Sequence, residues 1–291
     1  ASLRRLRDHH VMGSRFKSAI ANQLRPDVIC CSWPIPDLAH VAVRYGREHR
    51  IPVVLDVRDL WPDSFFYDLP RWFKSLSRFA IEPYLFKTQY SFSGATAITG
   101  ITSTFVDWGV EKANRQRTIL DRDFPLAYPE EPPPADQIRD AALFWRSYGI
   151  GVDDSEFLVC YAGNLGRAFD IDTVIRAARR LRDHHPLVRF VLCGSGERLE
   201  EYRREAADCP NVILPGWVGA AQLYSLLRLA RVGLVPLPDR PDYLATINNK
   251  VIEYLSAGLP IVSCPGNSRV ADVTRQNECG LSYDVHDCDG L

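Results

Sequence analysis

The sequence has no C-x-x-C pair and no cluster of cysteine with histidine, although it holds 8 cysteines in 291 residues. A structural zinc site or a disulfide framework is therefore not its organising device. No segment approaches the roughly 18 consecutive apolar residues that cross a bilayer as a helix. There are no internal repeats, and the only biased tract is one proline-rich stretch. His9-His10 and His184-His185 are adjacent pairs whose side chains point about 100° apart on a helix, so neither pair chelates a metal by itself. Net charge is also nearly absent, at −1. That balance hides an asymmetry, because residues 1–121 carry 17 Lys/Arg against 12 Asp/Glu, and residues 122–291 carry 18 against 24.

What is present is an ordinary globular composition, 46% hydrophobic and 24% charged, over a length that fits two domains. Cys30, Cys160, Cys193 and Cys264 stand in or beside apolar runs that read as buried strands. Reduced cysteines behave there as small hydrophobes, as in a cytoplasmic protein. Short β-branched runs such as 52–56, 156–161, 188–193 and 232–236 alternate with amphipathic stretches such as 172–182 and 197–207. This pattern predicts parallel sheets covered by helices on both faces, with ligand sites at the carboxyl ends of the strands. Residues 121–134 hold five prolines and cannot be strand or helix interior, which sets a domain 1–121, a linker 122–134 and a domain 135–291. The first domain shows only three strands and no opening strand, so it is expected to be incomplete and the chain a fragment.

Three segments offer chemistry. Tyr161-Ala-Gly-Asn-Leu-Gly-Arg167 and Cys193-Gly-Ser-Gly-Glu197 each follow an apolar strand. Their glycines let backbone N–H groups approach a phosphate, and Arg167 adds charge. In 248–262 a helix is capped by Asn248 or Asn249 and closed by Gly258. Val251, Ile252 and Leu255 form its expected core face, and Lys250 and Glu253 share another. A cation in the first turn opposes the helix dipole, so Lys250 is misplaced for stability unless an anion binds there. Glu253, one turn further, suits vicinal hydroxyls such as those of a ribose; a plain surface pair of the two residues is the competing reading. In the first half, a strand runs into Asp56, Arg58 and Asp59, charged groups where a cleft is expected. Residues 71–80 are basic and aromatic, which suits either core packing or contact with an anionic lipid surface.

The order Tyr-Ala-Gly-Asn-Leu-Gly, Cys-Gly-Ser-Gly, Pro215-Gly-Trp-Val218 and Asn-Lys-x-x-Glu-Tyr-Leu-x-x-Gly-x-Pro resembles the donor domain of family 4 retaining glycosyltransferases. The Asp-x-Arg-Asp-Leu-Trp-Pro segment is similar to the N-acetylfucosaminyltransferase-like branch that builds bacterial cell-surface polysaccharide. The resemblance implies an α/β fold of GT-B type, with two Rossmann-like parallel-sheet domains facing a cleft and the N-terminal one incomplete. It implies transfer of a hexosyl or N-acetylhexosaminyl group from a nucleotide-sugar donor to a glycan or polyprenyl-linked acceptor. No cofactor, metal or nucleic-acid partner is expected, and the protein is expected in the cytoplasm with a membrane surface as a further candidate partner. Gly163 and Asn164 would approach the donor, Gly194 and Val218 would lie near the base, Lys250 with Arg167 would hold the diphosphate, and Glu253 the ribose. Asn249 completes the donor set. Asp59 and Lys250 are the candidate catalytic residues, and Asp56, Arg58 and Asp59 the acceptor side. The family's usual Glu eight positions before Glu253 is Ala245 here, and Asn164 and Phe169 stand where Arg and Lys are usual. A nucleotide-sugar 2-epimerase and a non-catalytic nucleotide-sugar-binding module are the rival readings.

Overall fold

The computed structural model describes residues 3–67, 69–129, 131–153 and 155–291. The chain divides into two compact units, Ala1–Pro125 and Leu126–Leu291. Glu130, part of the proline-rich run, lies outside the described residues.

The first unit contains α1 (Leu3–Ile20), β1 (Ile29–Trp33), α2 (Pro36–His49), β2 (Val53–Val57), α3 (Ser64–Tyr67), α4 (Arg71–Gly94), β3 (Ala97–Gly100), α5 (Ser103–Ala113) and β4 (Arg122–Asp123). Its sheet is parallel in the order β1-β2-β3-β4. The fourth strand corrects the expectation that residue 122 opens the linker. Arg122 pairs with Thr99 and Asp123 with Gly100. The cause is Asp121, which is buried and accepts hydrogen bonds from the Ile98 N–H (2.9 Å) and from both Arg115 amino groups (2.6 and 2.7 Å). Burial alone would raise the Asp121 carboxyl; the bonds from Arg115, Thr118 and Ile98 hold it well below the usual carboxylate range. Proline begins only at Pro125, so nothing before it prevents pairing. Along β1 the burial alternates, which turns Cys31 inward and leaves Cys30 exposed. The expectation of a buried Cys30 is thereby corrected, because the strand period places adjacent residues on opposite faces.

The second unit contains α6 (Ala135–Ser147), β5 (Phe157–Ala162), α7 (Ile171–His184), β6 (Val188–Cys193), α8 (Leu199–Glu205), β7 (Val212–Gly216), α9 (Ala220–Leu229), β8 (Val232–Pro236), α10 (Pro241–Leu244), α11 (Asn249–Ser256), β9 (Ile261–Cys264), α12 (Arg269–Gln276) and β10 (Gly280–Ser282). Six parallel strands run in the order β10-β9-β8-β5-β6-β7. Connections from β5 move one way along the sheet and those from β8 the other, so the strand order reverses between β5 and β8. A crevice outside the carboxyl ends of the strands forms at such a reversal. Residues on the two faces of β5 and β6 enter two separate apolar clusters, as continuous hydrophobic runs in a doubly covered sheet must.

Tyr254 on α11 fixes that helix to the sheet. It is fully buried, its hydroxyl accepts a hydrogen bond from the Ala162 N–H (2.9 Å), and its ring lies where a Cβ at Gly233 would stand. The buried face of α11 is therefore Lys250, Val251 and Tyr254, while Ile252 and Leu255 are half-buried. This corrects the expected core face of Val251, Ile252 and Leu255. Removing the hydroxyl strands the Ala162 N–H at the end of β5. Tyr254→Phe is expected to lower stability by about 1–3 kcal/mol, the scale for one unsatisfied buried group. Urea unfolding followed by circular dichroism measures it, and an unchanged midpoint would contradict the role given to this bond.

Candidate functional site

Two glycine turns follow β5 and β6 and lie against each other. The Gly163 N–H donates to the Cys193 carbonyl (3.0 Å), the Leu165 N–H to the Ser195 carbonyl (2.9 Å) and the Gly194 N–H to the Gly216 carbonyl (2.8 Å). Gly194 has φ +143°, and a Cβ there would overlap the Gly163 carbonyl oxygen. Only glycine permits this approach. The Tyr161 hydroxyl donates to the Asn164 carbonyl (2.7 Å) and closes the first turn.

These turns, the segment after β7 and the start of α11 enclose a pocket of about 510 Å³. Gly163, Asn164, Gly194, Val218, Asn249, Lys250 and Glu253 all line it. Ser195, Trp217 and Leu223, to which the motifs give no role, line it too, as does Asn248, expected above only as a helix cap. Asn248 occupies the N-cap position of α11 without bonding the helix through its side chain, and its Oδ1 is buried with no hydrogen-bond partner.

Lys250 is the electrostatic centre of the pocket. The residue is 7% exposed, and its Nζ lies 4.8 Å from the centroid of the Tyr161 ring and 4.5 Å from that of Phe169. Its end sits close beneath the Gly163 turn, where a glycine Cβ would be 3.0 Å from Nζ. Among the described residues the ammonium makes no hydrogen bond and no ion pair, so the surface-pair reading of Lys250 with Glu253 is not the geometry found. Burial pushes its pKa down to about 8, against an upward pull from Glu253. Burial likewise raises the Glu253 carboxyl, opposed by Lys250.

Other expected residues stand elsewhere. Arg167 is exposed, does not line the pocket and has its Nε 3.4 Å from Glu197. In the first unit the Asp56 carboxylate accepts from the Thr99 hydroxyl (2.9 Å) and from Arg58 Nε (2.5 Å). Asp59, the sequence's catalytic candidate there, uses Oδ1 to accept from the Trp61 N–H (3.0 Å) and the Ser64 hydroxyl (3.3 Å). Its visible work is to hold the turn into α3. Among the described residues no three His, Cys, Asp or Glu side chains gather as a metal site.

Residues 156–291 match the family model described as glycosyl transferases group 1. No curated protein matches the chain. Among solved structures, Alr3699/HepE of Anabaena in complex with UDP and glucose is similar with a TM-score of 0.66 at 13% identity, over 96% of this chain and 69% of that one. A UDP-forming α,α-trehalose-phosphate synthase from Burkholderia xenovorans is similar with a TM-score of 0.65 at 15% identity, over 100% and 70%. The N-terminal domain of trehalose-6-phosphate phosphatase from Candida albicans gives 0.67 at 13%, over 98% and 65%. The architecture is that of GT-B glycosyltransferases, with two parallel-sheet α/β units. The domain match covers residues 156–291, a little under half of the chain, and lies within the second unit.

A cation held in an apolar seat destabilises the folded chain. Because the folded pKa of Lys250 lies below its unfolded value, the penalty is complete below about pH 8 and fades as pH rises toward the unfolded pKa of about 10.4. Lys250→Met keeps the volume and removes the charge. It is expected to raise stability at pH 7 by about 3 kcal/mol, from about 2.4 pKa units at about 1.4 kcal/mol each, with the gain shrinking above pH 8. Urea midpoints at pH 7 and pH 9.5 test this, and a variant no more stable than the parent at pH 7 would refute the unpaired buried charge.

Proposed function

We propose that the protein transfers a sugar from a nucleoside-diphosphate sugar to a hydroxyl of a glycan or lipid-linked acceptor, with retention of anomeric configuration as in the family its motifs resemble. The observation that carries this reading is the Lys250 ammonium, buried at the N-terminal end of α11 beneath the Gly163 turn and, among the described residues, without a hydrogen bond or ion pair. Free helix N–H groups and one desolvated cation make a seat for a diphosphate. In the reaction, negative charge grows on the departing diphosphate as the bond to the sugar breaks. A fixed cation in a water-poor site stabilises that charge more than it stabilises the intact donor. Glu253 offers its carboxylate to the ribose hydroxyls, Asn249 and the backbone at Gly163, Asn164 and Gly194 line the path of the donor, and Val218 borders the base.

Support for a nucleotide comes also from HepE, whose structure holds UDP and glucose, which makes uridine diphosphate the first nucleotide to try. In this reading 135–291 is the donor domain and 1–121 the acceptor side, where Asp56 and Arg58 present charge. The Asp-x-Arg-Asp-Leu-Trp-Pro segment favours cell-surface polysaccharide as the product. A 2-epimerase would need histidine or paired carboxylate acid–base groups at the donor, and among the described residues lining the pocket there is one carboxylate, Glu253, and no histidine.

The basic, aromatic segment 71–80 lies at the start of α4. The side chains of residues 71, 73–78 and 80 lie outside the described residues. Trp72, Phe79 and Phe86 recur every seven residues on that helix and are 79%, 78% and 62% exposed. No helix among the described residues is long and apolar enough to cross a membrane. A stripe of this kind in a unit with excess positive charge suits peripheral contact with an anionic lipid surface. Trp72→Ser with Phe79→Ser is expected to abolish co-sedimentation with vesicles containing phosphatidylglycerol. Equal binding by parent and variant, or no preference of the parent for anionic over neutral vesicles, would overturn this.

The donor site has its own test. Lys250→Ala is expected to weaken both donor binding and turnover, with a combined loss of about 2–4 kcal/mol, the scale for removing one charge-stabilising donor. Glu253→Gln is expected to act on donor affinity with little change in turnover, since ribose hydroxyls do not change charge in the reaction. Calorimetric titration with UDP, beside steady-state transfer assays, separates the two. If both variants titrate like the parent, the donor does not sit here.

A further inference from the structure

Trp217 is 75% exposed, yet it lines the pocket around Lys250. A large apolar surface left in water at the rim of a binding site is a cost that a ligand can relieve. The backbone on either side of it is tied to its surroundings. Gly216 before it has φ +91°, and its carbonyl accepts from the Gly194 N–H at 2.8 Å. The indole edge lies 3.9 Å from where a side chain would begin at Gly219, the N-cap of α9, whose N–H donates to Gln222 Oε1 at 2.7 Å. The ring thus borders a turn that carries no side chain, with Val218 and Leu223 as the apolar wall nearby.

Strand order sets its distance from the phosphate end. Lys250 lies against Tyr161 of β5, and Trp217 follows β7, two strands away across β6. At about 4.8 Å per strand, the two ends of the pocket are roughly 10 Å apart. Glu253 also lines the pocket. That span is comparable to a diphosphate followed by a ribose and its base.

We infer that the indole of Trp217 is the platform on which the nucleobase of the donor stacks. The inference rests on the donor-site reading above and adds to it the group that takes the base. Stacking on an aromatic face is available to every base, so Trp217 supplies affinity for a planar ring and leaves the choice among bases to the polar groups around it.

The experiment compares the parent, Trp217→Ala and Trp217→Phe in titrations with UDP and GDP, and with inorganic pyrophosphate as the probe that lacks a base. Trp217→Ala is expected to weaken the nucleotides about 5- to 150-fold, the range of single base–aromatic stacks, and to leave pyrophosphate unchanged. Trp217→Phe is expected to retain most of the nucleotide affinity. The indole fluorescence quenched by nucleotide in the parent is expected to be missing in both variants. Unchanged nucleotide binding in Trp217→Ala overturns the inference. So does a parallel loss of pyrophosphate binding, which would make Trp217 a support of the pocket instead of a base contact. A parent that binds pyrophosphate but no nucleotide more tightly also overturns it. A parent that binds none of the three overturns the donor reading itself.

Discussion

The second unit is organised around one unpaired charge. A lysine ammonium sits between two aromatic rings, beneath a glycine turn, and among the described residues it makes no hydrogen bond or ion pair. Desolvation lowers its pKa to about 8, and the aromatic faces offset part of the cost through their quadrupoles. Nothing in the packing of α11 requires a lysine there. The helix is already fixed by Val251 and Tyr254. A cation kept in a place that folding alone does not favour is the mark of a site arranged for a ligand.

The neighbouring backbone serves the same end. Gly194 is forced by its contact with the Gly163 carbonyl, and the bonds between the two turns and Gly216 join three strand ends into one floor. The Tyr254 hydroxyl takes the Ala162 N–H just before the first turn, so the helix that carries Lys250 and the strand that ends at Gly163 are fixed to each other directly. The position of the ammonium against the Gly163 turn then depends on a buried hydrogen bond and a close ring contact with Gly233. Such rigidity is what electrostatic stabilisation of a departing group needs, since a charge that must move into place loses much of its effect.

Much of this was legible in the sequence, for local reasons. Apolar runs separated by amphipathic helices have a fixed meaning, and glycine turns after strands mark the carboxyl edge of a sheet. Gly163, Gly194, Val218, Lys250 and Glu253 line one pocket because their motifs lie next to those edges. The misses follow from contacts that sequence distance hides. The seat of Lys250 is built by Tyr161 and Phe169, some ninety and eighty residues away, and Tyr254 faces inward because of Ala162. Arg167 was chosen for its charge and its place in a motif, yet in the structure it leans on Glu197 at the surface. The strand at Arg122–Asp123 was hidden by the prolines that follow it, and Asp121, whose burial drives the pairing, looks in sequence like any loop aspartate. In the first unit, hydrogen bonds from Trp61 and Ser64 to Asp59 show that a charged residue at a strand end can be there for the turn.

The identity of the buried cation can be argued from the same geometry. The ring of Phe169 lies 4.5 Å from the Lys250 ammonium and edge-on to Tyr243 at 5.8 Å. The positive charge of the pocket is thereby gathered on one group and enclosed by apolar surface. An arginine could not take that role. Its planar guanidinium carries five N–H donors that demand acceptors, and the seat offers two ring faces and a glycine backbone. It would also keep its full charge at any accessible pH, where burial lowers the pKa of the lysine to about 8. Compactness and a pKa that yields to burial are the two properties that fit lysine to this position. The glycine overhead leaves room for no larger group, and the same closeness would bring an incoming phosphate oxygen within reach of the ammonium.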